Sequence, residues 1–390
     1  MVYLGSITTK LEILTQLGLG WPRRPLWGQI FLTRRCNIRC PFCAAPTHPA
    51  GETSLKQWKA ILDRLRHWGV RWLNIVGGEP TLYPDVWEFL LYAHEKGFPT
   101  VLHTNLYKVP PDFEDRVATS HVSAIEASLD SVDGSMPRSD WKTLDLLCRL
   151  RNRGVYPLVS TVITAENIHQ ISEIANRVTQ RGIMYIAAVY QHVGGLFSEN
   201  DVHLAPEPAV LQRTLNDLRR LKQRTGLIRN SRLFLENSRL HAEPQWHCHA
   251  DRDSWVAVDS DGRLMACQEY KSRLHVLDIE DLKDSRWRIQ KLDLASACRG
   301  CSYHCYYEAE ELLGLRFLQE LSLYVRKYYE RQRRPSPPHL QPAGCTQDSD
   351  CKTARPLMTS FGRSTRMERE ECRALPVSHS ARVRSGRGVV

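Results

Sequence analysis

Between Arg35 and Ala44 the chain reads Arg-Cys-Asn-Ile-Arg-Cys-Pro-Phe-Cys-Ala, which sets Cys36, Cys40 and Cys43 in one short stretch. Three thiolates at this Cys-x3-Cys-x2-Cys spacing can converge from a single loop on a small inorganic body. A zinc ion wants four ligands and usually joins one Cys-x2-Cys to a second pair. A 4Fe-4S cube normally takes four thiolates, one on each iron. The next cysteine along the chain is Cys148, so a cube held by this loop would keep one iron open to another ligand. A second constellation follows at Gly77-Gly78-Glu79-Pro80, directly after the apolar Leu73-Asn-Ile-Val. Two glycines let backbone approach a neighbour closely, and Glu79 offers an acceptor for an ammonium group. The turn comes about one βαβ unit after Cys43, roughly 30 residues, which places it at the end of the adjacent strand.

With Phe42 before the last cysteine, the triad resembles the signature of the radical S-adenosylmethionine (SAM) enzymes, and Gly77 to Pro80 resembles their Gly-Gly-Glu-Pro element. The resemblance implies that Cys36, Cys40 and Cys43 hold a 4Fe-4S cluster whose open iron is chelated by the amino and carboxylate groups of SAM. One electron from an external flavodoxin- or ferredoxin-like donor would then release methionine and a 5′-deoxyadenosyl radical. It also implies that Gly77, Gly78, Glu79 and Pro80 orient the methionyl amine. Thr104 and Asn105 after a third strand, and Ser128 and Asp130 after a fourth, would lie near the SAM carboxylate and ribose. Read as residues, these four are equally suited to capping strands or turning the chain. Phe42 either stacks near the adenine or packs, and Asn167 reads as a helix N-cap. His103, Tyr190 and His192 fall at later strand ends, where they would face substrate or serve the fold.

A late group comprises Cys248, Gly262, Cys267, Cys298, Cys301 and Cys305. Its opening, cysteine, spacer, glycine, four residues, cysteine, resembles the SPASM and twitch domains that follow some radical SAM barrels. That resemblance implies one auxiliary 4Fe-4S cluster held by Cys248, Cys267 and members of Cys298, Cys301 and Cys305, with zinc as the alternative occupant. The run Cys-Ser-Tyr-His-Cys-Tyr-Tyr-Glu from Cys301 is also similar to the cysteine region of the adenosyl-hopene transferase branch, which acts on a lipid precursor. His247, His249 and His304 flank the thiols as ligands or as solvated imidazoles. Cys148 reads as a core thiol, and no role attaches to Cys345, Cys351 and Cys372.

These groups need a scaffold, and the chain supplies a periodic one. Amphipathic helices end at Gly69, Gly97, Gly154 and Gly182, each followed by a β-rich run, and Val122 to Leu129 adds a strand within the longest gap. A glycine just past a helix takes the left-handed conformation that stops it. With Gln29 to Thr33 first, six parallel strands joined by helical crossovers are expected, too few for a closed eight-stranded barrel. The fold class is therefore α/β, a partial (β/α)6 barrel with a small cysteine-rich C-terminal extension and a disordered tail. Ser54 with Gln57 marks a capping box. Residues 1–27 read as a helical extension from Leu4 to Leu19, and 28–225 as the barrel, with a helix at Pro206 to Arg224. Residues 226–333 read as the auxiliary region, with strands at Leu233 to Glu236 and Trp255 to Asp259, a hairpin from Val256 to Met265 and a helix from Ala309 to Tyr329. Residues 334–390 form the basic tail.

The 390 residues carry a net charge of +10. From Arg331 onward stand twelve Arg or Lys against five Asp or Glu, so most of the surplus is in the tail and the body is near neutral. That disfavours nucleic acid as a partner and leaves a peptide or small-molecule substrate. No stretch approaches the roughly 20 apolar residues of a membrane span, and the N-terminus does not read as a signal peptide. Twelve cysteines without an export signal point to a reducing, cytoplasmic setting. The rival class is a non-catalytic Fe-S or zinc protein, which leaves the Gly-Gly-Glu-Pro turn unexplained.

Overall fold

A computed structural model gives the fold and describes residues 25–192, 194–236, 255–298, 301 and 303. All of them lie in the first of the chain's two units, Met1–Pro335 and Ser336–Val390. Six strands lie side by side in chain order and all parallel: β1 (Trp27–Phe31), β2 (Trp72–Val76), β3 (Thr100–Thr104), β4 (Ala124–Ser128), β5 (Tyr156–Ile163) and β6 (Met184–Val189). Between them run α1 (Leu55–Trp68), α2 (Val86–Glu95), α3 (Phe113–Thr119), α4 (Lys142–Asn152) and α5 (Ile171–Gln180), with α6 (Pro208–Thr225) after β6. This is the partial parallel barrel expected from the glycine-punctuated repeat.

The first crossover shows how the sequence builds it. Ser54 accepts the Gln57 N–H while the Gln57 side chain accepts that of Ser54, and Gly69 closes α1 at φ 104°. Trp58, Ile61, Leu62 and Leu65 lie on its buried face, in one core with Ile30 of β1 and Leu73 and Ile75 of β2. Because side chains alternate across a strand, Leu102, Ile125, Val159 and Tyr185 join the same helix-side core. Gln29, Phe31, Asn74, His103, Glu126 and Ser128 therefore take the opposite face, the concave interior on which a ligand would sit.

The other edge of the sheet is extended. β7 (Trp255–Val258) pairs parallel with β1, setting Trp255 opposite Trp27. β8 (Arg263–Cys267) and β9 (Tyr270–His275) then add antiparallel. The expected hairpin forms around Asp259 and Gly262, whose N–H donates to Asp259 O at 2.9 Å. It is continuous with the barrel sheet. Buried Arg34 grips buried Asp259 through Nε to Oδ1 at 3.0 Å and Nη2 to Oδ2 at 2.6 Å, and Lys271 Nζ reaches the same carboxylate at 2.7 Å. The hairpin is thus fastened to the residue that leads into the first cysteine loop.

One expected strand is a helix. Leu233 to Glu236 belongs to α7 (Arg232–Glu236), because Ser231 Oγ accepts the Phe234 N–H at 3.0 Å and starts a turn. A short apolar run does not by itself distinguish the two states. α8 (Ser285–Ala297) leads to Cys298. The helices expected at Leu4 to Leu19 and Ala309 to Tyr329, together with the tail, lie outside the described residues. No helix among the described residues is long and apolar enough to cross a membrane.

Candidate active site

The cysteine loop and the double-glycine turn, far apart in sequence, are bonded backbone to backbone. Gly78 N–H donates to Thr33 O and Glu79 N–H to Arg35 O, both at 2.7 Å. A Cβ on Gly78 would overlap the carbonyl oxygens of Arg34 and Arg35, and one on Gly77, at φ 153°, that of Thr33. Here the glycines are required by the cysteine loop itself, which occupies the space a side chain would need. Pro80 is buried and opens a short 3-10 turn, Pro80–Leu82.

Glu79 is already engaged by neighbouring residues. It is 1% exposed, and its Oε1 accepts from Thr104 Oγ1 at 2.8 Å and Thr81 Oγ1 at 2.7 Å. Its Oε2 accepts the Asn105 N–H at 2.8 Å. Burial pushes its pKa up, and the bonds from Asn105, Thr81 and Thr104 pull the other way. The carboxylate ties the ends of β2 and β3 together. Asn105, so fixed, donates through Nδ2 to Asn37 Oδ1 at 2.9 Å and lies 3.7 Å from Cys36 Sγ.

At the end of β4, Ser128 is half-buried in register with Ser160. Asp130 is fully buried; it forms a short ion pair with Arg138 and accepts the Val162 N–H at 3.0 Å. Sequence reading missed Arg138, a lone arginine in a loop with no motif around it. Its guanidinium lies 4.9 Å from the centre of the Phe42 ring, and its charge is felt at Cys40 and Cys43. Burial would lower its pKa, but Asp130 outweighs that and holds it protonated. Its Nη2 is buried without a hydrogen-bond partner among the described residues. Phe42 packs with Met136, Tyr190 and Leu204 against Cys40 and Cys43. Tyr190 OH donates to Glu199 O at 2.6 Å, which is fold support, whereas His192 is exposed. Asn167 occupies the N-cap position of the 3-10 helix Ile168–Gln170 as expected, but its side chain makes no capping bond and serves instead as an internal tie: it accepts the Thr164 N–H at 2.8 Å and donates to Asp130 O at 3.0 Å and Val162 O at 2.8 Å.

Of the late thiols, Cys267, Cys298 and Cys301 lie within the described residues. Tyr270, whose hydroxyl burial pushes up, feels the charges of Cys298, Cys267 and Cys301. Glu269 N–H points at Cys267 Sγ at 3.3 Å. Cys248 and Cys305 lie outside the described residues. Cys148 packs at the edge of the helix-side core.

Residues 30–178 match the family model described as the Radical SAM superfamily. The chain carries a radical SAM domain. It is 31% identical over 160 residues to mycofactocin maturase MftC of Mycobacterium tuberculosis, covering 39% of this chain and 41% of that one. It is 28% identical over 153 residues to the AdoMet-dependent heme synthase of Nitratidesulfovibrio vulgaris, covering 37% of this chain and 42% of the relative. The matched region thus spans less than half the length of either relative. The structure of Streptococcus suis SuiB bound to precursor peptide SuiA has the same fold, with a TM-score of 0.55 and 20% identity, over 72% of this chain and 69% of that one.

A radical SAM domain implies a 4Fe-4S cluster and SAM, and the residues present fit them. Burial pushes all three loop thiols up, Cys40 to about 12, so thiolates here need a cationic partner, which iron supplies and Arg138 reinforces. Among the described residues no three Cys, His, Asp or Glu side chains are grouped to hold one metal ion. A cube takes each thiolate on a different iron, so its ligands surround a body rather than a point.

Proposed function

We propose that the chain is a radical SAM enzyme that modifies a peptide. The observation that carries this reading is the direct bonding of the Gly78–Glu79 backbone to Thr33 and Arg35, which lead into the Cys36–Cys43 loop, together with a buried guanidinium near Cys40 and Cys43 that has an unpartnered nitrogen. Cys36, Cys40 and Cys43 would hold the 4Fe-4S cluster. With SAM bound, such a cluster would supply the electron for reductive cleavage of the sulfonium to methionine and a 5′-deoxyadenosyl radical. The chain's own residues do the rest. Gly77 to Pro80 set the height of the turn against the cluster loop and present backbone to the methionyl amine. Arg138, braced by Asp130, offers Nη2 to the SAM carboxylate. Asn105 and Ser128 offer polar groups on the same rim, and Phe42 closes the wall behind Cys40 and Cys43.

The peptide substrate is supported by the names of the similar proteins, a maturase and an enzyme bound to its precursor peptide. An auxiliary 4Fe-4S cluster on Cys267, Cys298 and Cys301, with Cys248 and Cys305 as further ligands, completes the reading. A flavodoxin- or ferredoxin-like protein would donate the electron. Anaerobic reconstitution with SAM and a chemical reductant should give 5′-deoxyadenosine and methionine. Replacing Cys36, Cys40 and Cys43 together with Ala should abolish both products yet leave iron at the late site. Undiminished product from that triple variant would exclude the proposal.

A further inference from the structure

The two cysteine sites meet at one residue, Glu269, just before β9: its side chain holds a segment against the first site and its backbone N–H points at a thiol of the second. Glu269 is 4% exposed. Its Oε2 accepts the Phe197 N–H at 3.0 Å and the Ser198 N–H at 3.3 Å, and its Oε1 accepts Tyr303 OH at 2.6 Å. On one side, its own N–H points at Cys267 Sγ. On the other, the segment it holds is the backbone partner of the first cysteine loop. Ser198 bridges antiparallel to Cys43, Ala44 N–H donates to Phe197 O at 3.2 Å, and Glu199 N–H to Phe42 O at 3.3 Å. The Phe197 ring lies 4.2 Å from that of Phe31 and 5.1 Å from the Arg34 guanidinium carbon. The Glu269 charge is felt at Cys43. Gly195 is what lets the segment close over it, since a Cβ there would overlap Glu269 Oε2.

We infer that Glu269 is a positioning residue common to both sites, setting the seat of Cys43 through Phe197 and Ser198 while directing an N–H at the Cys267 sulfur. The reduction potential of an Fe-S cluster follows net charge, hydrogen bonds to its sulfurs and exposure. A buried carboxylate between the two sites therefore holds the SAM cluster at lower potential, and the segment it anchors keeps Cys43 in register. The inference rests on the proposed function, because it needs a cluster at the first site.

The test uses the full chain, reconstituted anaerobically, as wild type, Glu269→Gln and Glu269→Ala. Each is made in the native background and with Cys267, Cys298 and Cys301 replaced by Ser, so that the first cluster is read alone. Gln keeps the size of Glu and an acceptor for the Phe197 and Ser198 N–H groups, and its amide can donate to the Tyr303 oxygen. Iron per chain, an EPR-monitored reductive titration and the change in the EPR signal on adding SAM are measured. With Gln, the first cluster keeps its iron and its SAM response but titrates at higher potential, in both backgrounds. With Ala, the SAM response is lost as well. An unchanged potential and SAM response at the first cluster in both variants would overturn the inference, whatever happens at the late site. A wild-type cluster that does not respond to SAM would instead overturn the proposed function on which it rests.

Discussion

The two cysteine groups are built in opposite ways. Cys36, Cys40 and Cys43 share one loop, and their relative placement is largely settled by a local turn in which Cys43 N–H donates to Cys40 O at 3.1 Å. Cys267 ends β8 while Cys298 follows α8, so the late group exists only once a hairpin and a helix have packed. A loop motif survives as a pattern in the chain; a site assembled from separate elements depends on whatever fixes those elements. For the late group that fixture is the extension of the barrel sheet through β7, fastened at Arg34–Asp259.

The comparison breaks most directly at that ion pair, since it serves both groups. Removing one partner of a buried pair strands the other and costs about 3–5 kcal/mol. Asp259→Asn should therefore lower the unfolding free energy by about that much in chemical denaturation and reduce iron at both sites. Burial alone would raise the Asp259 pKa, but hydrogen bonds from Arg34 and Lys271 outweigh it and hold the carboxyl below its usual 3.8. Its contribution is accordingly present above that value and lost as pH falls through the folded value. The gap between wild type and variant should stay constant down to about pH 5 and narrow progressively below it.

Gly78→Ala separates the groups. The new methyl meets the Arg34 and Arg35 carbonyl oxygens, an overpacking worth about 1–3 kcal/mol that falls on the first loop. Iron at the first site and 5′-deoxyadenosine should drop to the level of the triple cysteine variant, with late-site iron retained. Retention of both would mean that the turn yields without moving the loop.

Much of the first site was legible because its signals are local. The capping box at Ser54, the helix-ending Gly69 and the strand ends at Thr104 and Ser128 stand where the periodicity placed them. What the chain alone did not disclose is which partner each polar group finds. Glu79 reads as an acceptor for a ligand ammonium, yet its oxygens are taken by Thr81, Thr104 and Asn105. Arg138 and Glu269 gave no signal, because a single charged residue in a polar loop looks like solvated surface until the fold buries it. Asn167 has the type of an N-cap and the neighbours of a strand tie.

Glu79→Gln sharpens the distinction between a binding role and a tie. An amide leaves one oxygen for donors that now reach two, so one N–H faces another, toward the low end of the roughly 1–3 kcal/mol of an unsatisfied buried group. Thermal unfolding should report the loss, and the Asn105 amide should drift from Cys36. A direct contact between the carboxylate and the SAM amine would instead show as weakened SAM binding at unchanged stability.

Ser54→Ala should do least. It removes the acceptor for the Gln57 N–H at the start of α1, worth about 1 kcal/mol, and the helix stays held by Trp58, Ile61 and Leu65 in the core. Because α1 leads from the cysteine loop into β2, whose far end carries the double-glycine turn, a frayed first turn would loosen both if they depended on it. They are bonded to each other at Gly78 and Glu79. The variant should unfold slightly earlier in a thermal melt with iron at both sites and 5′-deoxyadenosine formation unchanged. A loss of first-site iron would show that the helix start, rather than the turn-to-loop bonds, sets the cluster loop.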